Sequence, residues 1–518
     1  MLEPISKTEW DERKASHLLD RTGFGATPKD IRTSAQADPF QLVDELFSFQ
    51  ASKIPPLVPA WVNDPKNTVP IRPKKDPKLQ NLPPEELKKA LQAKRREEMI
   101  QIAQLRGWWI ERMLTTPWPL QEKLTLFWHG HFATSVEKVK FPYAMYVQNQ
   151  TFRRHAAGNW EEILLAVSKD PAMLLYLDNA KSFSGAPNEN YARELMELFT
   201  LGEGHYTETD IQQSARAFTG WSIDPEEGTF LDRAFRHDRG MKTFMGETGN
   251  FDGSDIIRII LKQPQAARFI MKKLWTYFAY GNPEPELMDE LAQTLTKNSM
   301  DFGPTLRTVF LSKAFYSDKA IRQQIKSPVQ WLVGLSKMCD SPAPHFVIAN
   351  QMLSQLGQSL FQPPNVKGWD GGLAWITEAS LVDRYRFSDA LFHGGNELKG
   401  FLGQVRKILQ ENQTPQSPAM TSPTMMGADM QMSPEVVINH LSQPTLDPDK
   451  VFAGMESLAG EAIFDDLSSR FLQNHIRPQD KARMLSEIPA GKTVAQMSHE
   501  ERIHVILSVV NTPYFQLT

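Results

Sequence analysis

The chain has 518 residues, 41% of them hydrophobic, one cysteine and a formal charge of −4. That length and apolar content suffice for a large buried core, and the slightly acidic balance argues against a sequence-independent nucleic-acid binder. A single cysteine, Cys339, excludes an intrachain disulfide and a multi-cysteine zinc site; it is expected to pack in a helix near Trp331.

The start, Met1 to Leu19, lacks the charged-then-apolar pattern of a leader, and no window reaches the ~18 uninterrupted apolar residues of a membrane span. Cytoplasmic location is the default expectation, and export would require a partner or a different start codon. Periodicity predicts a mostly α chain in three parts: a multi-helix globular body over 1–410, a disordered Met/Pro/Ser-rich linker over 411–433, and a helical segment over 434–518 packing back on the body. Five methionines in the linker fit Cu(I) chemistry less well than plain disorder.

In chain order, Gln41 to Phe47 reads as a short helix and 55–84 as an extended proline- and lysine-rich excursion. A long helix over 85–114 follows, charged at first and aromatic at its end, so that it projects before entering the core. The basic excess from Arg72 to Arg96 reads as a solvated arm or a face for an acidic partner. The next helix runs from Pro119, with Gly130 as its stop, which puts His129 in the last turn and His131 just beyond. Both then feel the negative helix end and are expected as cations. The same pair makes a metal half-site on extended backbone, whereas on a continuous helix the two rings diverge by about 200°. Capping or packing is the plain alternative.

Trp160 to Leu177 is amphipathic. At ~100° per residue the helix Asn190 to Leu201 places Tyr191, Ala192, Leu195, Met196, Leu198 and Phe199 on an apolar face and Asn190, Arg193, Glu194, Glu197 and Thr200 opposite. Glu194 and Glu197 are therefore neighbours and repel unless a cation or metal intervenes. Gly202 and Gly204 end this helix, and Thr207 with Asp210 caps a second one that carries Arg216 towards the carboxylates. A small β-hairpin is expected near 229–246, pairing Thr229 to Phe235 with Lys242 to Met245 and holding His237 and Asp238 in its turn, where they close over the carboxylates. Helices resume at 255–278, 285–297, 305–315 and 328–338. Pro363 to Trp375 is a Gly/Trp loop unlike a phosphate-binding loop; Trp369 and Trp375 either stack on a flat ligand or anchor the loop. Helices over 434–441, 464–488 and 499–510 close the chain.

Several segments, in order, carry a resemblance: HLLDRTGFGATP (His17 to Pro28), WWIERML (Trp108 to Leu114), FWHGHF (Phe127 to Phe132), LLYLDN (Leu174 to Asn179), NENYARELMELFTLG (Asn188 to Gly202), ARAFTGW (Ala215 to Trp221), HDRGMKTFMG (His237 to Gly246) and PPNVKGWDGGLAW (Pro363 to Trp375). The set resembles the bacterial domain-of-unknown-function family 1800 over nearly the whole chain. One departure is Asp370, where the family pattern has proline. The resemblance implies a site built from His129, His131, Asn188, Glu189, Asn190, Arg193, Glu194, Glu197, Arg216, Trp221, His237, Asp238, Gly368 and Trp369. It also implies an association with a sulfatase-like partner, domain-of-unknown-function family 1501.

Two functions follow as expectations. The first is an enzyme in which His129, His131, Glu194 and Glu197 bind iron, manganese or zinc, or act as acid and base. Arg193, Arg216, His237 and Asp238 assist, and Asn188, Glu189, Asn190, Trp221, Trp369 and Trp375 meet the substrate. The second is a non-catalytic scaffold in which Arg193 and Arg216 neutralise the carboxylates and the histidines cap helices.

Overall fold

Prolines set many of the helix starts, because a first-turn residue has no intrahelical use for its N–H. Pro119–His131, Pro142–Arg154, Pro171–Tyr176, Pro264–Phe278, Pro285–Lys297 and Pro328–Met338 all begin this way. In this computed structural model, residues 1–51, 58–68, 82–394 and 442–518 are described. The expected linker, the helix at 434–441 and most of the excursion lie outside them.

The described chain is mostly helical, with two small antiparallel hairpins. The first pairs β1 (Trp221–Ile223) with β2 (Phe230–Asp232), and the second pairs β3 (Lys242–Phe244) with β4 (Glu247–Gly249). The expected pairing of 229–235 with 242–245 is thus replaced by two local hairpins, in which each expected strand pairs with its nearer neighbour in sequence instead. Two long predicted helices are each broken by a proline. Trp160–Ser168 is separate from Pro171–Tyr176, and Gly253–Leu261 is separate from Pro264–Phe278.

One apolar cluster gathers Leu124, Trp128, Phe132, Trp160, Leu195, Phe199 and Trp275. A second joins Trp108 and Trp109 to Trp331, Phe361, Ile506 and Phe515. The helix Pro84–Thr115 enters the second cluster through its aromatic end, as its sequence implies. There Glu122, fully buried, accepts from Trp109 Nε1 (2.9 Å), Arg112 Nε (2.5 Å), and Arg153 Nε and Nη2 (2.7 and 2.8 Å), tying three helices together. Cys339 is buried just after Pro328–Met338, and burial pushes its thiol up to about 12. No helix among the described residues is long and apolar enough to cross a membrane.

Candidate functional site

The carboxylate helix changes pitch. Glu189–Glu194 is α-helical, and Leu195–Thr200 continues it as a π-helix, a form concentrated at functional sites. The wider turn is visible in Leu201 N donating to Met196 O (2.8 Å) and Thr200 Oγ1 to Leu195 O (2.6 Å). Its freed carbonyls are capped from other helices: Leu198 O by Lys273 Nζ (2.9 Å), Phe199 O by His131 Nε2 (3.0 Å) and Leu201 O by Gln265 (2.9 Å). At the other end Asn188 Oδ1 accepts from Asn190 N (3.0 Å). The Asn188 and Asn190 amides donate to Asp178 O (3.1 Å) and Leu177 O (3.3 Å). These asparagines hold the LLYLDN turn, where Asp178 has φ +59, and their amides are engaged by that task rather than offered to a ligand.

Glu194 and Glu197 are half-buried on this helix. Glu197 accepts from Tyr206 Oη at 2.7 Å. Glu194 has no hydrogen-bond or ion-pair partner among the described residues, and burial, then the Glu197 charge, raises its carboxyl above the ordinary range, against Arg193 and Lys367. Arg193 pairs with Glu208 (2.8 Å) and lies 3.8 Å from Glu189. Arg216 instead forms a two-pronged bond to Asp238 (2.7 and 3.1 Å) and donates to Gln213 and Met241 O. The expected neutralisation of the carboxylates by Arg216 is therefore not made: the loop after β2 brings Asp238 to it first. His237 donates from Nδ1 to Thr219 O (3.0 Å), and the Thr219 hydroxyl accepts from Asp238 N (2.8 Å). These two residues lock the connection between the hairpins onto ARAFTGW, and their hydrogen bonds run there rather than to the carboxylate pair.

The histidines differ most from expectation. The helix runs through Gly130 to His131, so the two rings point apart. Both are buried, and their charge state reverses the expectation: burial, then Arg106, drives His129 down to about 3, and burial, then Lys273, drives His131 well below its ordinary value. His129 Nε2 accepts from Phe361 N (3.0 Å), and its ring packs on Trp109, Phe361 and Trp369. Phe361 sits at φ +62, a backbone region costly for an L side chain, held there by His129, by Arg106 Nε on Leu360 O (2.7 Å) and by Val136 N on its own carbonyl (2.9 Å). Among the described residues no three His, Cys, Asp or Glu side chains stand together as a metal site, so His129, His131, Glu194 and Glu197 do not form the expected ligand set.

The Pro363 to Trp375 loop does reach this centre. Gly368, at φ +83, lies so close to the Gly130 carbonyl that a Cβ would stand 2.2 Å from the oxygen. That contact explains a glycine here and brings Lys367 within electrostatic reach of Glu194. Trp369 is partly exposed against His129, whereas Trp375 and Trp221 are buried, the latter against Phe218 and Phe230. Those two tryptophans anchor the fold rather than offering a face to a ligand. Lys273, Gln265, Tyr206 and Lys367 escaped sequence reasoning, since each is a single polar residue whose role appears only when distant helices meet.

A mainly helical protein thus has three of its sequence motifs joined through His129, His131 and Gly368, beside a partner-free carboxyl. The chain belongs to the family described as "Protein of unknown function (DUF1800)", which matches residues 17–517. No curated protein and no solved structure matches it.

Proposed function

We propose that the chain is an enzyme whose proton-transfer centre is the Glu194–Glu197 pair, with Glu194 as general acid or base and the histidines fixing the backbone around it. The observation that supports this is the Glu194 carboxyl itself: half-buried, without an internal partner, beside a second carboxylate that Tyr206 holds in place. A carboxyl whose environment favours the protonated form matches what acid–base work near neutrality needs. Lys367 lies within electrostatic reach of it, and Trp369 on the same loop is partly exposed beside His129, a cation and a ring suited to positioning a polar substrate. Metal chemistry is not part of the proposal, because His129 Nε2 accepts from Phe361 N and both ring nitrogens of His131 are engaged, by Phe199 O and Lys273 Nζ.

The test compares wild type with Glu194→Gln by mass spectrometry of a cell metabolite extract incubated with each. The expected result is a set of compounds consumed by wild type and left intact by a variant of unchanged melting temperature. Extracts indistinguishable between the two proteins and a blank would refute the reading.

A second reading is a helical partner for a sulfatase-like protein of domain-of-unknown-function family 1501. It is favoured by the internal satisfaction of Asn188, Asn190, Arg216, His237 and Asp238, which act as fold-fixing residues. Under it, Glu194→Gln is silent and the partner's abundance falls when this chain is removed.

A further inference from the structure

Far from the carboxylate pair, the chain buries positive charge with too little negative charge to match. Arg21 comes from the HLLDRTGFG helix, Lys123 from Pro119–His131, Arg322 and Lys326 from the connection before Pro328–Met338, and Arg384 from Glu378–His393. Their exposures are 1, 1, 2, 3 and 0%. Among the described residues none of the five has a carboxylate within 4.0 Å, and the acid they share is Asp20, which interacts electrostatically with Arg21, Lys123, Arg322 and Lys326.

Four of these cations are partly committed to the fold. Arg21 Nη2 donates to Ala320 O (2.6 Å), Lys123 to Gly23 O (2.8 Å), and Arg384 to Gln516 Oε1 (3.0 Å) and Lys326 O (2.9 Å); Arg322 Nη2 donates to Tyr514 O. What remains is a set of buried donors with no partner: Nε and Nη1 of both Arg21 and Arg322, Nε of Arg384, and Nζ of Lys326, which stands 3.9 Å from the Phe515 ring centre. Asp20 forms no ion pair with any of them within 4.0 Å, and its Oδ2 accepts from the Gln473 amide and the Thr518 hydroxyl (3.4 Å).

Burying an unpaired charge costs several kcal/mol, and a lysine escapes by losing its proton. Burial indeed brings Lys123 and Lys326 down to about 7. Guanidinium has no such escape. With both lysines neutral, three buried guanidiniums remain against the single carboxylate of Asp20, an excess of two positive charges.

We propose that Arg21, Arg322 and Lys326 bind a tetrahedral dianion, phosphate or sulfate, either as the free ion or as the end of a small phosphorylated or sulfated molecule. The charge matches, and the free Nε and Nη1 donors of Arg21 and Arg322 can each give a charge-assisted hydrogen bond to an oxygen of such an ion. A monocarboxylate would leave one charge uncompensated. A surface cleft that includes Glu12, Arg13, Ser16, Gln473 and Asn474 reaches Gln473, the residue that holds Asp20.

Full-length protein is purified in Tris chloride without phosphate or sulfate, acid-denatured, and the released anions are measured by ion chromatography with total phosphorus alongside. About one dianion per chain is expected; phosphorus beyond the inorganic phosphate identifies an organic phosphate. The wild-type melting temperature should rise with phosphate or sulfate and not with chloride at equal ionic strength. Lys326→Met, which removes an amine that makes no hydrogen bond within the fold, should weaken that response about tenfold or more, the loss of one hydrogen bond to a charged ligand. Absence of any released dianion, together with a melting temperature indifferent to phosphate and sulfate, overturns the proposal without reliance on a variant. A Lys326→Met protein more stable than wild type in phosphate overturns it as well.

Discussion

Replacing Gly368 with alanine tests whether the Gly/Trp loop is pinned to the histidine helix. A non-glycine residue in left-handed backbone costs about 1–2 kcal/mol, and here φ is +83. The added Cβ would stand 2.2 Å from the Gly130 carbonyl oxygen, backbone against backbone, so the loop must lift. Lifting it strips Trp369 from His129 and loosens the Phe361 bond to the same ring, about 1 kcal/mol for a net hydrogen bond. The total is roughly 2–4 kcal/mol, or about 1 °C of melting temperature per kcal/mol for a cooperative unit of this size. The control is Gly130→Ala on the other side of the same contact. A Cβ there meets nothing within 4 Å, and alanine in a helix gains about 0.5–1 kcal/mol over glycine. Calorimetry should therefore show opposite signs at two glycines that touch. A Gly368→Ala protein melting with wild type, or a Gly130→Ala protein that loses as much, would refute the pinning.

Glu122→Gln leaves Arg112 and Arg153 without their shared countercharge and should cost about 3–5 kcal/mol in denaturant unfolding, a loss below 1 kcal/mol being the contrary result. Burial raises the Glu122 carboxyl but the two arginines outweigh it, so its folded pKa is lowered and its contribution is present above 4.5 and lost as pH falls below. His17, His129 and His131 are all buried with lowered pKa values, so the unfolded chain takes up protons first below pH 6.5. Stability should fall with acid by up to about 4 kcal/mol per pH unit for three such groups, and resonances of these three rings titrating near 6.5 in the folded protein would contradict this. Glu194 has the opposite sign: its raised pKa means folding loses stability as pH rises above the ordinary carboxyl range. Glu194→Gln should thus equal or exceed wild type at neutral pH and converge with it near pH 4.5; a variant less stable at neutral pH would count against the partner-free carboxyl.

Helix positions were readable where a proline or capping box marks the start. Pro285–Lys297 and Pro328–Met338 match their expected bounds at both ends. Gly130 misled because a glycine stops a helix only where the backbone turns left-handed, and here it stays helical, with the turn delayed to Phe132. The histidine charge could not be read either. A helix end favours imidazolium, but burial among Trp109, Phe127 and Trp128 removes the water that a cation needs, and burial is a property of the assembled core. The motifs did show which segments meet: FWHGHF does touch both NENYARELMELFTLG and the Gly/Trp loop. What each side chain does there was decided by competition, as when Asp238 rather than a glutamate claims Arg216.

The π turn under the two carboxylates makes helix pitch a long-range quantity. Nothing in LMELFT asks for a wider coil, and residues 189–201 cut out as a peptide would have no reason to leave the α form. The pitch is kept by three side chains, His131, Gln265 and Lys273, more than 60 positions away in sequence. The angle between Glu194 and Glu197 is therefore set by helices that carry neither residue. A substitution at Lys273, remote by every sequence measure, would re-aim both carboxylates without touching either.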